Sequence, residues 1–376
     1  MGFIFRPIGA VIFGQLGDKL GRRGALLGTL GLMGVASTLI GVLPTIHTAG
    51  IVAPILLILL RAMQGIAAGG EWSAATSMVV ESAPVDKRAR YASYIQMGSP
   101  IGTLLSTGAV ALGVGLLGND GFVNGGWRIP YLATIVFAGI GLWLRFRMEE
   151  SHAFEMRQEA KVEAKGSPVI EVFRTVPGRW LLAVFAYVYC NAGFFIVTTY
   201  MISYVTITQG KDNAGIILNA LTIGAGVQLV MVFLTGRVAD RFGAGPTTTF
   251  GYIVTVLCAY PVFLLVDTGK QVWMIVAMIL ALGLSTIAYA SIGALLKEYF
   301  PGSVSVSAMA LATNTAGLIA GFMPMLATFV FGAFGRSVWG PSTLLFSIAL
   351  ISTIATIIVS RTVAREKAQG IDMNLR

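Results

Sequence analysis

A chain of 376 residues with 56% hydrophobic and only 11% charged residues has too little polar surface to cover a globule in water, since soluble domains carry about 25% charged residues. The formal net charge of +9 does not indicate a nucleic-acid partner, because no basic surface stands apart from the segments between apolar runs. Apolar runs of about 20 residues recur throughout and are long enough to cross a bilayer as helices. They predict an all-α polytopic membrane protein, because barrel strands alternate in polarity over about ten residues instead.

In chain order we predict eleven spanning helices. Their ranges are 2–16, 24–43, 51–80, 91–117, 128–146, 180–208, 214–236, 246–266, 272–296, 303–332 and 340–360. The connections at one end of these spans hold most of the 26 Lys and Arg residues. By the positive-inside rule, these connections and the C-terminus are cytoplasmic and Met1 faces out, in a multi-pass protein of the inner (plasma) membrane.

The connection between the first two spans reads GQLGDKLGRRGALL, Gly14–Leu27. Glycines allow a tight turn and close approach of two backbones. Asp18 can face the positive N-terminal end of a helix from the other half of the molecule, and Arg22 can pair with Glu81. These contacts predict a latch that holds in one conformation and breaks in another. Alternatively, Lys19, Arg22 and Arg23 only anchor the topology.

A shorter version of this motif, GRVADRFG, returns at Gly236–Gly243. The residues that we assign to the latch are Gly14, Asp18, Gly21, Arg22, Arg23, Glu81, Gly236, Asp240, Arg241 and Gly243. The one long polar connection predicts a five-span bundle at 1–148, a cytoplasmic linker at 149–178, and a six-span bundle with a tail at 179–376. If one opening span is missing from the first bundle, the two motifs occupy equivalent loops of parallel repeats.

Three charged residues lie well inside predicted spans, namely Arg6, Arg61 and Glu71. Such charges are costly and usually face a cavity. We predict that Arg6 and Arg61 bind a substrate carboxylate through forked hydrogen bonds, with Gln64 one turn from Arg61, and that Glu71 carries a proton. The alternative is a structural Arg6–Glu71 pair, since both residues lie at a similar depth below the basic loops.

In the second half, Tyr187 and Asn191 share one helical face at one-turn spacing, and we assign them to substrate binding. Interhelical hydrogen bonding is the alternative for each. Cys190 and Cys258 form no disulfide framework, and the two isolated histidines indicate no metal site. No phosphate-binding loop is present. We therefore expect no cofactor and no enzymatic activity.

Several motifs resemble known proteins. GQLGDKLGRRGALL (14–27) and RAMQGIAAGGEW (61–72) resemble the loop and fourth-helix motifs of the major facilitator superfamily. Within it, four segments are similar to the metabolite:proton symporters, which carry shikimate, α-ketoglutarate, citrate, proline or betaine. These segments are RPIGAVIFGQLGDKLGRR (6–23), GGEW (69–72), WRIPYL (127–132) and MEESHAFE (148–155). MEESHAFE followed by SPVIEVF (167–173) most resembles shikimate-type carriers.

The resemblance implies two six-helix repeats, here without the first helix, where relatives carry acidic and aromatic residues. It also implies a looser second latch, since Gly243–Gly245 lacks further basic residues. We expect a monomeric secondary transporter that imports a small organic acid with protons by alternating access, with a shikimate-like monocarboxylate favoured. The alternative is a non-transporting membrane sensor or partner, or an inactive truncated carrier.

Overall fold

The computed structural model describes residues 2–20, 22–147, 168–210, 213–302 and 304–370. Within these ranges the chain is helical, with no strand. In the described part of the chain, ten helices are long and apolar enough to cross a membrane, and a shorter apolar helix, Gly2–Phe13, precedes them. We label the eleven helices in chain order: α1 Gly2–Leu20, α2 Arg22–Gly41, α3 Val52–Ser82, α4 Val85–Gly118, α5 Phe122–Phe146, α6 Pro177–Gln209, α7 Ala214–Phe242, α8 Ala244–Asp267, α9 Gln271–Tyr299, α10 Ser305–Ala333 and α11 Trp339–Ala368.

Each predicted span corresponds to one helix, so the predicted all-α polytopic fold is confirmed. Several helices extend past their apolar stretch at the end that carries the basic residues. The first connection is accordingly shorter than predicted, because α1 runs to Leu20 and α2 begins at Arg22. Two short helices, Ile46–Ala49 and Pro168–Thr175, lie between the long ones. Most of the predicted linker falls outside the described residues.

Within the described ranges, three of the long helices contain a π-helical turn, in which the backbone hydrogen bonds are one residue wider than in an α-helix. These turns are Phe122–Gly126 at the start of α5, Ile196–Tyr200 in α6 and Ile279–Leu284 in α9. A further helix, α10, breaks at Phe322, just before Met323–Ala333 resumes with Pro324 in its first turn. Proline is tolerated there because that turn needs no backbone N–H donor.

Backbone contact joins α1 to α3. A Cβ atom added to Gly69 would lie 2.1 Å from the Arg6 carbonyl oxygen, and one added to Gly9 would lie 1.9 Å from that of Ile66. Small residues permit this approach, which is a common way for membrane helices to associate. The contact fixes where the side chain of Arg6 leaves α1 relative to α3.

The helices before and after the polar connection form two groups, which we call the first group (α1–α5) and the second group (α6–α11). They meet where α1 packs against α10 and where α4 packs against α7. At one end of this interface two ion pairs join the groups within the described ranges, and we call it the basic end. These pairs are Arg90–Asp240 and Glu81–Lys297, and the pair Arg179–Glu366 lies within the second group.

Candidate substrate cavity between the two helix groups

A cavity of about 480 Å³ lies between the two groups, with walls from both of them. The π-helical turns of α6 and α9 each contribute to its lining, through Val197 and through Ala281 and Leu282. Such turns frequently occur at functional sites because they rotate the following residues relative to a regular helix. The polar and aromatic lining residues include Arg6, Glu71, Trp72, Gln96, Ser99, Arg145, Tyr187, Asn191, Gln228, Tyr289 and Asn314.

Arg6 of α1 is the central cation of this cavity. Its guanidinium carbon lies 4.4 Å from the centroid of the Phe3 ring, a stabilising cation–π distance. Across from it, a Cβ added to Gly317 of α10 would lie 3.8 Å from Arg6 Nη1 and 3.5 Å from the Asn191 side-chain nitrogen. Within the described ranges, no carboxylate lies within 4.0 Å of the Arg6 guanidinium, and nothing accepts a hydrogen bond from it. Among the described residues, Arg6 is therefore a cavity cation without a counter-ion.

The predicted pair Tyr187 and Asn191 lies in the cavity wall, on the shared face of α6 that the spacing indicates. The Tyr187 ring is 5.3 Å from that of Trp72, centroid to centroid. The Asn191 side chain makes only a long hydrogen bond, of 3.5 Å, to the Thr313 carbonyl. The structure places both side chains where a ligand could reach them, and their role in binding stays a prediction.

The sequence did not indicate a series of hydrogen bonds that joins the two groups near Tyr187. Trp72 Nε1 donates to Gln96 Oε1 at 2.8 Å, and Gln96 Nε2 donates to the Tyr289 carbonyl at 2.8 Å. Asn314 makes a second connection, donating to the Gly69 carbonyl at 2.7 Å. Trp72 and Gln96 are 24 residues apart, so no local spacing signals their contact.

Glu71 pairs with Arg145 and not with Arg6. Arg145 Nη2 lies 2.9 Å from Glu71 Oε1, and Arg145 Nη1 donates to the Leu26 carbonyl at 2.6 Å. The alternative of an Arg6–Glu71 pair is therefore wrong. A similar depth in the membrane does not bring the two side chains together, because that of Glu71 points towards α5 while that of Arg6 points towards α10.

Arg61 and Gln64 lie outside this cavity, contrary to the predicted arrangement. The exposed Arg61 side chain donates to Gln64 Oε1 at 3.1 Å and to the Tyr131 hydroxyl at 3.3 Å, and Gln64 donates to Ser37 Oγ at 2.7 Å. Arg61 therefore has polar partners on its own helix and on α5. The prediction rested on depth along α3, and depth does not tell which side of the helix a residue occupies.

At the basic end, Asp240 of α7 caps a helix of the first group. Asp240 Oδ1 accepts a hydrogen bond from the Arg90 backbone N–H at 3.0 Å, and Asp240 Oδ2 lies 3.0 Å from Arg90 Nε. Arg90 stands in the first turn of Arg88–Gln96, where N–H groups lack partners within the helix. This is the geometry predicted for Asp18, found here in the second copy of the motif.

The other predicted latch residues of the second copy support this approach. A Cβ on Gly236 would lie 2.3 Å from Ser93 Oγ, so only glycine lets α7 come this close to α4. Gly243 has a φ of 91° at the turn into α8, a conformation that favours glycine. The exposed Arg241 guanidinium lies 5.4 Å from the Phe242 ring centroid. The second motif thus makes a cross-group contact despite lacking the further basic residues.

In the first copy of the motif, Arg23 donates to the Phe146 carbonyl. Gly21 lies outside the described residues, and so do the surroundings of Gly14 and the side chains of Asp18 and Arg22.

Glu81 at the end of α3 has a partner that the sequence did not indicate. Lys297 Nζ of α9 lies 3.1 Å from Glu81 Oε1 and 2.6 Å from Ser305 Oγ of α10. Lys297 is 4% exposed, so this pair is a buried link between the groups. The predicted contact between Arg22 and Glu81 stays a prediction, because the Arg22 side chain lies outside the described residues.

A bundle of apolar helices in two groups, with a central polar cavity between them, is the architecture of a membrane transporter. The family profile of the Major Facilitator Superfamily matches residues 1–323. The chain therefore belongs to that superfamily.

Curated relatives support this assignment over nearly the whole chain. A shikimate transporter of Escherichia coli K12 is 35% identical over 365 residues, covering 96% of this chain and 82% of the relative. A proline/betaine transporter of Salmonella typhimurium LT2 is 32% identical over 374 residues, covering 96% and 74%. A solved proton:xylose symporter has a TM-score of 0.77 at 16% identity, covering 96% of this chain and 84% of that structure. These relatives are transporters, not enzymes.

Proposed function

We propose that this chain is a secondary active transporter that carries a small organic acid together with protons, with a shikimate-like monocarboxylate favoured as the substrate. The observation that carries this proposal is the Arg6 guanidinium, which faces the cavity and has no carboxylate within 4.0 Å in the part of the chain that the structure describes. A charge inside a membrane span is costly unless it is paired or solvated. An arriving carboxylate supplies both the charge and the forked acceptors that a guanidinium prefers.

The remaining cavity wall suits the rest of such a substrate. Trp72 and Tyr187 offer aromatic surface, and the amides of Asn191 and Gln228 offer hydrogen bonds. A ring with several hydroxyl groups needs both kinds of contact, since buried hydroxyls must be hydrogen-bonded. The shikimate and proline/betaine transporters among the relatives carry molecules that each combine a carboxylate with a small framework, which fits this division of the cavity.

For proton coupling, Glu71 keeps the predicted role of proton carrier, with Arg145 as its partner. Glu71 lines the cavity and holds Arg145, which in turn holds the Leu26 carbonyl of α2. Protonation of Glu71 would release the Arg145 guanidinium, because a neutral carboxyl is a weaker partner than a carboxylate. The proposed symport cycle therefore alternates between a closed and an open Glu71–Arg145 pair.

Alternating access requires contacts that hold in one state and break in the other. We assign this role to the two cross-group pairs Arg90–Asp240 and Glu81–Lys297 at the basic end. The Lys and Arg excess in the connections there supports a cytoplasmic basic end and C-terminus. In this scheme residues 1–148 and 179–376 are the moving bundles of a monomer, joined by the linker 149–178 in the inner membrane.

The test is shikimate binding to the purified chain, measured by calorimetric titration. We expect Arg6→Gln to weaken binding by about 100-fold, which corresponds to losing a charged hydrogen-bond pair. Arg61→Gln should leave binding intact, because Arg61 lies outside the cavity. Shikimate methyl ester, which lacks the negative charge, should not bind. Unchanged affinity in Arg6→Gln would refute Arg6 as the carboxylate site.

Coupling is tested in proteoliposomes with an imposed inside-alkaline pH gradient. We expect Glu71→Gln to retain substrate exchange and to lose accumulation. Full accumulation by this variant would show that Glu71 is not the proton carrier.

Two observations favour the alternative that the chain binds its substrate without transporting it. The most apolar stretches of α4 and α5 contain no buried residue, and Arg61 is exposed in the middle of an apolar helix. Binding without counterflow in the parent chain would support this alternative, and counterflow would exclude it.

A further inference from the structure

A second cavity, of about 390 Å³, opens on the outer surface of the second group between α7 and α8. Its lining is almost entirely apolar. We call it the α7–α8 groove, and the lining residues used below are Met231, Leu234, Val238 and Phe242 of α7 and Phe250 of α8. Phe250 is 58% exposed and Phe242 is 63% exposed, so the groove faces the surroundings of the bundle.

The groove has the length of one bilayer leaflet. Its lining extends along α7 from Met231 to Phe242, a rise of about 17 Å at helical geometry. Half of the hydrocarbon core is about 15 Å thick. Because α7 ends at Phe242, the groove begins at the basic end and stops near the middle of the membrane. An acyl chain of a phospholipid whose headgroup lies beside Phe242 has the matching length and position.

The headgroup end of the groove carries unbalanced positive charge. The exposed Arg241 guanidinium lies against the Phe242 ring, and that of Arg237, one turn earlier, lies 5.6 Å from the Phe233 ring centroid. Across the described ranges, neither arginine has a carboxylate within 4.0 Å. Asp240 cannot neutralise them, since it is engaged by Arg90.

We propose that the α7–α8 groove binds one anionic phospholipid, with an acyl chain along Leu234, Val238 and Phe250 and the phosphate on Arg241. An arginine fork matches phosphate geometry, and basic residues at membrane helix ends attract anionic headgroups. The site does not depend on the identity of the transported substrate. It also differs from ordinary lipid contact in a measurable way, because the charge at its rim selects the headgroup.

The test uses Phe250→Trp as a reporter inside the groove, with the emission of the unsubstituted chain subtracted. Phe250 lies six residues into α8, or about 9 Å below its start, close to the depth of bromines at carbons 9 and 10 of an acyl chain. Liposomes of phosphatidylcholine receive either dibrominated phosphatidylglycerol or dibrominated phosphatidylcholine. We expect phosphatidylglycerol to quench the reporter at an about fivefold lower mole fraction, which corresponds to about 1 kcal/mol for one basic residue.

The charge control separates this site from general surface attraction. Arg241→Gln should abolish the preference for phosphatidylglycerol, whereas Arg361→Gln, which removes an exposed arginine of α11, should retain it. Equal quenching by both lipids, or a preference that survives Arg241→Gln, would overturn the proposal. If Phe250→Trp does not fold, native mass spectrometry of the parent chain and Arg241→Gln makes the same decision, because only the parent should retain phosphatidylglycerol over phosphatidylcholine.

Discussion

The two helix groups are built by different means. In the second group, large side chains such as Tyr204, Tyr252 and Phe263 are fully buried and form one extensive core. In the first group, α1 and α3 meet backbone to backbone at glycines, and the most apolar stretches of α4 and α5 contain no buried residue. Side-chain packing therefore holds the second group, and close backbone contact at one helix pair holds much of the first. The unmatched cavity charge, Arg6, sits on that helix pair.

The largest effect should come from a bulky residue at the α1–α3 contact. Gly69→Val would force a Cβ to within 2.1 Å of the Arg6 carbonyl, so α1 and α3 would have to separate. We expect no monodisperse protein in size-exclusion chromatography. Gly226→Val in α7, where a Cβ meets nothing within 4 Å, is the matched control. A well-folded Gly69→Val would mean that the first group is not held by this contact.

Loss of a buried ring should have the next largest effect, and only in the second group. Phe263→Ala in α8, at 0% exposure, should cost about 3 kcal/mol or more, the usual cost of removing a buried phenyl ring. Ile135→Ala in α5, at 61% exposure, should cost far less. Thermal unfolding in detergent measures both. Similar losses of stability in the two variants would contradict the proposed difference in packing between the groups.

Between the groups, the Glu81–Lys297 pair should show a reversible effect. Lys297→Glu places two carboxylates together in a buried position, so transport should fall by at least tenfold, because breaking a buried pair is strongly destabilising. Adding Glu81→Lys restores opposite charges and should recover part of the rate. A double variant no better than Lys297→Glu would show that the charge pair with Glu81 does not determine the transport rate.

The smallest effect should come from the space beside Arg6. Gly317→Ala adds one carbon 3.8 Å from Arg6 Nη1, which folds without strain but narrows the approach to the guanidinium. We expect a few-fold loss of affinity for acids that branch next to the carboxylate and little change for unbranched acids. Calorimetric titration with both kinds of acid decides this. An equal loss for both would place the carboxylate away from Gly317.

The sequence predicted the helices well because each apolar run is a local property. It also placed Tyr187 and Asn191 on a shared face, since one-turn spacing decides that alone. It failed for Arg61 because α3 is apolar nearly all round, and such a helix carries no amphipathic signal to show which side meets the cavity. Partners from distant segments, such as Glu71 with Arg145 and Glu81 with Lys297, depend on packing that no local pattern specifies.

The glycine contact between α1 and α3 has a mechanical consequence. Because the Arg6 carbonyl lies directly against Gly69, these two helices cannot slide past each other, and packed elements of this kind move as one rigid body. Arg6 on α1 and Glu71 on α3 would then move together as parts of one rigid body, in both the inward-facing and the outward-facing state. The anion site and the proton site that we propose at these two residues would then keep a constant separation through the cycle. Coupling between substrate and proton would then depend on the residues of the second group that each of these two sites contacts in each state.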